Sequence, residues 1–270
     1  MSSPSGPAPN PERPCRHDRG DDAVKRVAIA TGAGRGIGAA IAQALSAAGF
    51  VVARVSREPA AGVQAVPAGP GAYYSCDVAD LSGHAALIER IAADLGEPDC
   101  LVNNAGITSR QRGDLLDLTP ESYDDTLSVN LRAGFFLTQA FARRRLAKAP
   151  GQPGSIVFIG SANAEIVGEN RADYCISKAG VGMMAKLFAA RLAADGIAVF
   201  EVRPGVIRTA MTAPATEKYD ALLAAGGIPM QRWGEPSDVG RTVAALVTGA
   251  IPYATGIHID VGGGLQLHRV

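Results

Sequence analysis

The stretch AIATGAGRGIGAAIAQAL, residues 28–45, decides the fold. A short apolar run ends at Thr31, four glycines follow at Gly32, Gly34, Gly36 and Gly38, and an alanine-rich stretch of helical period comes next. Glycine lets the backbone turn tightly, and the N-terminus of a helix offers free N–H groups to an anion. The pattern predicts a first strand, a phosphate-binding turn and a first helix. A strand-to-helix turn that binds nothing is the alternative interpretation.

Short β-branched runs and longer helical stretches alternate along the rest of the chain, which is typical of βα units in a parallel sheet. We therefore expect an α/β protein with a single Rossmann-like, doubly wound parallel sheet and helices on both faces. Proline and glycine in the segment from Glu58 to Gly71 predict a short or absent helix there. The predicted strands are KRVAIAT, VVARVS, AYYSCDV, DCLVNNAG, GSIVFIGS, GIAVFEVRPG and GIHIDVGG, and two predicted helices are HAALIERIAADLG and SYDDTLSVNLRAGFFLTQAFARRRLAK.

Composition limits the classes of function. The chain has 270 residues, of which 47% are hydrophobic, and this composition predicts a single domain that spans residues 24–270. Residues 1–23 form a polar, proline-rich tail that we expect to be disordered. The alternative is that this tail carries a targeting signal. Equal numbers of basic and acidic residues, 26 each, argue against nucleic-acid or membrane-surface binding. No apolar run has the length of a membrane span, and the four cysteines are scattered without metal-ligand spacing, so we expect a cytoplasmic protein without a metal.

The stretch GSANAEIVGENRADYCISK, residues 160–178, carries candidate catalytic residues. Asp173 can cap a helix on which Tyr174 and Lys178, four residues apart, share one face, and Ser161 follows a predicted strand. A neighbouring ammonium favours the phenolate, and lowering a tyrosine pKa by roughly 3 units requires about 4 kcal/mol, which a lysine and the positive ring of a bound cofactor could supply together. Tyr174 would then exchange a proton with a carbonyl oxygen that Ser161 holds by a hydrogen bond. The alternative is an ordinary surface helix with a serine cap.

Several segments, in this order, resemble the short-chain dehydrogenase/reductase family from about Val24 to Gly264: TGAGRGIG, CDVAD, LVNNAG, SVN, YCISK, RPGVIRT and HIDVGG. The resemblance implies an NAD(P)-dependent oxidoreductase that interconverts a ketone and a secondary alcohol. The sequence looks most like the 3-oxoacyl-(acyl-carrier-protein) reductase branch, which makes a 3-oxoacyl thioester a candidate substrate. Sugar, polyol and xenobiotic carbonyl reductases share that branch, so the resemblance does not choose among these substrates.

The resemblance also assigns roles to residues. Asn130 matches the asparagine that holds a water next to Lys178, which gives a catalytic tetrad of Asn130, Ser161, Tyr174 and Lys178. Asp77 and Val78 would contact the adenine, Lys178 would bind the nicotinamide ribose, and residues 204–209 would orient the carboxamide and the pyrophosphate. The full predicted cofactor-binding set is Gly32, Arg35, Gly36, Ile37, Gly38, Ser56, Arg57, Asp77, Val78, Asn104, Ala105, Gly106, Tyr174, Lys178, Pro204, Gly205, Val206, Ile207 and Thr209.

The end of the second strand bears on the choice between the two nicotinamide cofactors. Ser56 and Arg57, with Arg35 from the glycine loop, suit a 2′-phosphate and predict NADP(H). Glu58 lies close to the position where an acidic side chain would accept a hydrogen bond from a free ribose hydroxyl, so NAD(H) is the alternative. Arg57 as a solvated surface charge is a further alternative.

The segment 205–236 is expected to cover the substrate, and Asn163, Ile166 and Arg171, which flank Ser161 and Tyr174, are further candidates for contacting it. Two rival functions are a regulatory protein that binds the cofactor without turnover and a non-redox epimerase or dehydratase. The intact Tyr174 and Lys178 argue against the first, and the short C-terminal part of the chain argues against the second.

The resemblance implies a homotetramer or homodimer, and AFARRRLAK is either a solvated helix end or a docking patch for an acidic carrier. The candidate apolar lining, which could also be ordinary core or subunit interface, is Met211, Leu222, Leu223, Met230 and Trp233.

Overall fold

The fold is built on one parallel sheet, and the computed structural model describes residues 26–58 and 71–267. The strand order β3-β2-β1-β4-β5-β6-β7 confirms the predicted doubly wound architecture. The predicted tail over 1–23 and most of the segment predicted to lack a full helix lie outside the described residues. The strands are β1 (Arg26–Thr31), β2 (Phe50–Ser56), β3 (Gly71–Ser75), β4 (Pro98–Asn103), β5 (Gly154–Ile159), β6 (Ile197–Pro204) and β7 (Ile257–Val261).

Helices cover both faces of the sheet, because successive strand residues point to opposite sides. In β1, Val27 and Ile29 belong to the core beneath α2, α4 and α5, whereas Ala28 and Ala30 belong to the core beneath α1 and α7. In the part of the chain that the structure describes, no helix combines the length and apolar character that a bilayer span requires. The helices are α1 (Gly36–Ala47), α2 (His84–Leu95), α3 (Pro120–Leu127), α4 (Ala133–Lys148), α5 (Ala172–Leu192), α6 (Thr216–Ala224) and α7 (Pro236–Val247).

A π-helical turn interrupts the long helix between β4 and β5. The sequence predicts one helix over residues 122–148, but α3 and α4 are joined by the turn Ser128–Arg132, so that prediction is wrong in this detail. A π turn widens the helix by one residue and is found mostly at functional sites. This one contains Asn130, which is buried.

The strand order reverses between β1 and β4, so the chain segments that leave these two strands separate from each other. In open α/β sheets, ligands bind in the crevice that such a reversal opens at the carboxyl ends of the strands. The glycine loop after β1 and the segment 104–106 after β4 both lie at this crevice.

Candidate active site

The glycine loop forms a tight turn from β1 into α1. Gly32 and Gly36 have positive φ angles of 62° and 54°, which favour glycine. A Cβ atom on Gly38 would lie 2.1 Å from the carbonyl oxygen of Gly32, so only glycine fits there. Arg35, at the N-cap of α1, makes no side-chain capping bond, and Ile37 packs at the edge of the core. The first amides of α1 therefore remain available to an anion, as the loop sequence predicts.

Thr31 and Asn104 brace this loop from behind. The side-chain amide of Asn104 donates to the carbonyl oxygens of Thr31 (2.9 Å) and Gly32 (3.2 Å), and the Thr31 hydroxyl accepts from the backbone N–H groups of Asn104 and Ala105 at 3.0 Å. A Cβ on Gly32 would lie 2.9 Å from the Cα of Ala105. The segment 104–106 is thus joined to the phosphate-binding turn. Thr31 opens the sequence TGAGRGIG but was not among the predicted site residues.

At the end of β2, the predicted phosphate-binding groups already hold a carboxylate. The Ser56 hydroxyl donates to Glu58 Oε2, and Arg35 forms a salt bridge with Glu58 Oε1 at 3.4 Å. The hydrogen bond from Ser56 is the largest cause that lowers the Glu58 pKa, so the side chain is an anion at neutral pH. Arg57 lies 4.0 Å from Asp77, which caps the turn after β3 by accepting from Ala79. Two of the three groups predicted to bind a 2′-phosphate therefore face Glu58.

Ser161, Tyr174 and Lys178 come together at the carboxyl end of β5. Ser161 follows that strand, and α5 presents Tyr174 and Lys178 on one side, with Lys178 Nζ 5.7 Å from the centroid of the Tyr174 ring. Lys178 Nζ also donates to the carbonyl oxygen of Ile159 at 2.9 Å. The Ser161 side chain favours the ionised form of the Tyr174 phenol and so lowers its pKa. The geometry predicted from the spacing is therefore present.

Burial governs the ionisation of this group. It raises the pKa of Tyr174, and the hydrogen bond from Ser161 and the charge of Arg171 offset this only in part. Burial also lowers the pKa of Lys178 to about 8, against the opposing effect of Glu201. The lowered tyrosine pKa expected from the sequence is therefore absent from the protein alone. A further positive charge at the site would be needed to favour the phenolate.

Asn130 and Lys178 approach the same point, Gly106. A Cβ on Gly106 would lie 3.2 Å from Asn130 Oδ1 and 3.6 Å from Lys178 Nζ. The Asn130 side chain accepts from the N–H of Ile107 (2.8 Å) and donates to its carbonyl oxygen (3.0 Å) and to Ser177 (3.1 Å). Asn130 thus lies beside Lys178 and fastens the segment after β4 to the π turn and to α5.

Asp173 does not cap α5, which corrects the prediction. The helix begins at Ala172, and Arg171 occupies the N-cap. Asp173 is fully buried, and its Oδ1 accepts from Ser109 and from the backbone N–H of Tyr174. Its Oδ2 accepts from the hydroxyls of Ser122 (3.1 Å) and Thr126 (2.8 Å). The carboxylate therefore joins α3 and the segment after β4 to the residue next to Tyr174. These partners are distant in sequence, and no local pattern indicated them.

The segment after β6 reaches the glycine loop. Pro204 ends the strand, and a Cβ on Gly205 would lie 2.6 Å from the Cα of Gly262, which explains the glycine. Ile207 pairs with Gly234 in an isolated bridge. A Cβ on Gly36 would lie 3.7 Å from Thr209 Cγ2, so Thr209 borders the phosphate-binding turn. Val206 is buried, and so is Val78, which was predicted to contact the adenine.

The predicted substrate cover divides into a small core and exposed residues. Leu222, Leu223 and Trp233 pack with Val206 and Ile228, as the core interpretation expects. Met211 and Met230 are exposed. On the other side, Asn163 donates to the carbonyl oxygen of Ile166 at 2.8 Å.

Two of the four basic residues at the end of α4 have partners. Arg145 is buried and donates to the carbonyl oxygen of Pro153, and Arg144 forms salt bridges with Glu89 and Glu97. Arg143 and Lys148 are exposed.

Known proteins share both this sequence and this geometry. The model of the enoyl-(acyl carrier protein) reductase family matches residues 32–266. The 3-oxoacyl-[acyl-carrier-protein] reductase FabG of Haemophilus influenzae is 36% identical over 244 residues, which are 90% of this chain and 98% of that protein. The structure of a Brucella melitensis 3-oxoacyl-[acyl-carrier protein] reductase in complex with NAD has a TM-score of 0.87 and 44% identity, over 91% of this chain and 99% of that chain. An Agrobacterium tumefaciens structure with bound NADP has a TM-score of 0.78 and 33% identity, over 90% and 97%. The chain belongs to the short-chain dehydrogenase/reductase family of oxidoreductases.

Proposed function

We propose that this protein interconverts a ketone and a secondary alcohol with a nicotinamide dinucleotide as the hydride carrier, and that Tyr174 is its general acid and base. The observation that carries the proposal is the convergence of Ser161, Tyr174 and Lys178 at the carboxyl end of β5, with Asn130 beside Lys178. Relatives named 3-oxoacyl-[acyl-carrier-protein] reductases support a 3-oxoacyl thioester as the first substrate to test. The scattered cysteines support a reducing cytoplasm, and Cys76, Cys100 and Cys175 are free.

Each residue of the site has its own role in the proposed reaction. The cofactor, when bound, supplies or accepts the hydride. Ser161 donates a hydrogen bond to the carbonyl oxygen and fixes its position, and Tyr174 gives that oxygen a proton during reduction or removes it during oxidation. The ammonium of Lys178 favours the phenolate, and Asn130 orders the backbone beside Lys178. The bare glycine loop and the free amides of α1 would hold the pyrophosphate.

The test of this proposal combines binding with turnover. Nicotinamide fluorescence would follow titration with NADPH and NADH, and a panel of ketones that includes a 3-oxoacyl thioester would then be added. Tyr174→Phe should lower kcat by roughly 100- to 10,000-fold, the usual contribution of a general acid or base. Tyr253→Phe is the matched control because Tyr253 is fully exposed. Cofactor binding without turnover of any carbonyl by the wild-type protein would instead support the regulatory function.

The cofactor preference has two candidates. Arg35, Ser56 and Arg57 form a polar and basic corner that suits the 2′-phosphate of NADP(H). Glu58 favours the second candidate, NAD(H), because its ionised carboxylate holds Ser56 and Arg35 and can accept a hydrogen bond from a free ribose hydroxyl.

A homo-oligomer is the expected assembly. Ile176, Met183 and Leu187 lie on one face of α5 and are about half exposed, and α4 adds the exposed Phe136. An apolar stripe of this kind usually marks an interface, and a second copy of the same helices would cover it symmetrically. Met183→Glu should shift the mass measured by light scattering towards the monomer, whereas Lys186→Glu is the control on the same helix. An unchanged mass in Met183→Glu would contradict this assembly.

A further inference from the structure

Two charged side chains are buried beneath α5, on the strand that follows that helix. Glu201 and Arg203 lie two residues apart on β6, so they point to the same face of the sheet. Only 2% of Glu201 and 6% of Arg203 is exposed. Arg203 Nε lies 2.9 Å from Glu201 Oε2. Burying such a pair costs desolvation energy that its own attraction does not reliably offset. A pair of this kind therefore calls for an explanation beyond stability.

The carboxylate of Glu201 touches both chain segments that build the catalytic group. A Cβ on Gly160, the residue before Ser161, would lie 2.2 Å from Glu201 Oε1. A Cβ on Gly182, one helical turn after Lys178, would lie 3.2 Å from Glu201 Oε2. Both residues next to the carboxylate, Gly160 and Gly182, are therefore glycines without a side chain. Lys178 Nζ, in turn, is bonded to the carbonyl oxygen of the residue before Gly160.

The charges around Lys178 come from few elements. Tyr174 lies on its own helix and is neutral in the protein alone, because burial raises the pKa of its phenol. From β6, Glu201 is the charged group that acts on Lys178 and favours its protonated form against burial. Arg203 lies behind Glu201 and forms a second ion pair with Glu165, which is exposed. The π turn contributes Asn130, which does not titrate.

Glu201 also has unused hydrogen-bonding capacity. Its Oε1 is buried, and no donor among residues 26–58 and 71–267 reaches it. A buried acceptor left unsatisfied costs about 1–3 kcal/mol. Arg203 fixes one oxygen, while the other stays unpaired on the side of Gly160.

We propose that Glu201 is a positioning residue of the oxidoreductase reaction: its carboxylate, held in place by Arg203, is the fixed counter-charge that keeps Lys178 an ammonium beside Tyr174 and Ser161. The inference rests on the proposed function for its catalytic consequence. Its electrostatic part concerns the protein alone. Arg203, which also pairs with Glu165, orients the Glu201 carboxylate from the far side.

The direct test titrates Lys178 without turnover. In cofactor-free protein labelled with 13C at the lysine Cε, the resonance of Lys178 is identified by its loss in Lys178→Met. In Glu201→Gln the midpoint of its titration should move down by about one pH unit, which is a tenfold change in the proton-binding constant. Glu89→Gln, an exposed glutamate on α2, is the matched control and should leave the midpoint in place. An unchanged midpoint in Glu201→Gln would overturn the proposal.

The catalytic consequence is read from the pH profile of kcat. The ratio of kcat at pH 7 to kcat at pH 9 should be about fivefold larger in Glu201→Gln than in the wild type, because the Lys178 pKa would move from about 8 to one unit lower. A merely structural role would lower kcat equally at both pH values, and that result would contradict the proposal. If Glu201→Gln does not fold, the double variant Glu201→Gln/Arg203→Gln removes both buried charges and should show the same shift. A shifted Lys178 midpoint in a protein that turns over no carbonyl would refute the proposed function and leave the electrostatic pairing standing.

Discussion

Removing the charge of Glu58 should shift cofactor preference towards NADPH. The carboxylate is held by Ser56 and Arg35 at the corner where a 2′-phosphate would bind. In Glu58→Gln the size and one acceptor oxygen remain, but the negative charge is gone. NADPH should therefore gain affinity, because its phosphate no longer meets a carboxylate. NADH should gain nothing, because the ribose hydroxyl loses the stronger, ionised acceptor.

The size of the shift follows from the exposure of the corner. The Glu58 side chain is 33% exposed, so water screens its charge. Two unit charges about 4 Å apart repel by about 1 kcal/mol in a water-like dielectric. A phosphate carries close to two charges at neutral pH, which gives about 2 kcal/mol. Since 1.4 kcal/mol is a factor of ten, the ratio of the two dissociation constants should move by roughly 30-fold.

The assay is titration with NADPH and NADH under one set of buffer conditions, followed by nicotinamide fluorescence. The shift should shrink as salt is added, because screening weakens the repulsion. Glu121→Gln on α3 removes an equal charge far from this corner and should leave the ratio alone. A ratio that stays within about threefold of the wild type, or that moves towards NADH, would refute an electrostatic role for Glu58.

Three further predictions concern the loop, the buried carboxylate and the lysine. Gly38→Ala should weaken the binding of both cofactors at least about tenfold, because the added Cβ would lie 2.1 Å from the backbone oxygen of Gly32. Gly83→Ala is the control, since no atom lies within 4 Å of the added Cβ, and this variant should bind normally in the same fluorescence titration. Asp173→Ala should cost about 3 kcal/mol or more in urea unfolding, since three buried hydroxyls and an N–H lose their acceptor. The exposed cap Asp114→Ala should cost only about 1 kcal/mol, and equal losses would contradict the anchoring role. The Lys178 pKa is about 8 in the folded protein, so above pH 8 the unfolded chain binds more protons than the folded one. The difference in unfolding free energy between the wild type and Lys178→Met should therefore rise by roughly 2 kcal/mol from pH 8 to pH 10. A difference that does not change with pH would show that burial does not lower this pKa.

The fold and the meeting of Ser161, Tyr174 and Lys178 could be predicted because their signals are local. Buried parallel strands appear as short β-branched runs, and a tyrosine and a lysine four residues apart must share a helical face. The glycine loop was recognisable because its backbone excludes other residues, as the contact of Gly38 with Gly32 demonstrates.

Other features depend on tertiary contacts and were missed. A π turn differs from an α-helical turn by one hydrogen-bond register, and the sequence around Asn130 does not encode that choice alone. The partners of Asp173 lie 47 to 64 residues away in sequence. The ionisation of Tyr174 depends on burial, which spacing does not reveal. Glu201 and Arg203 did leave a signal, because two charges inside the apolar run GIAVFEVRPG are unusual for a buried strand.

The contact of Glu201 with Gly160 and Gly182 also restricts the order in which this chain can change during evolution. An added Cβ at Gly160 would lie 2.2 Å from the carboxylate, and one at Gly182 would lie 3.0 Å from Arg203 Nη2 and 3.2 Å from Glu201 Oε2. A shorter residue at 201 would relieve position 160, but position 182 would still meet Arg203, whose charge would be left buried with a single, exposed partner. The four positions are therefore expected to drift together or not at all. Alanine or larger residues at positions 160 and 182 should therefore occur in lineages that have lost the buried pair. Once such residues are present, a glutamate at position 201 would clash with them.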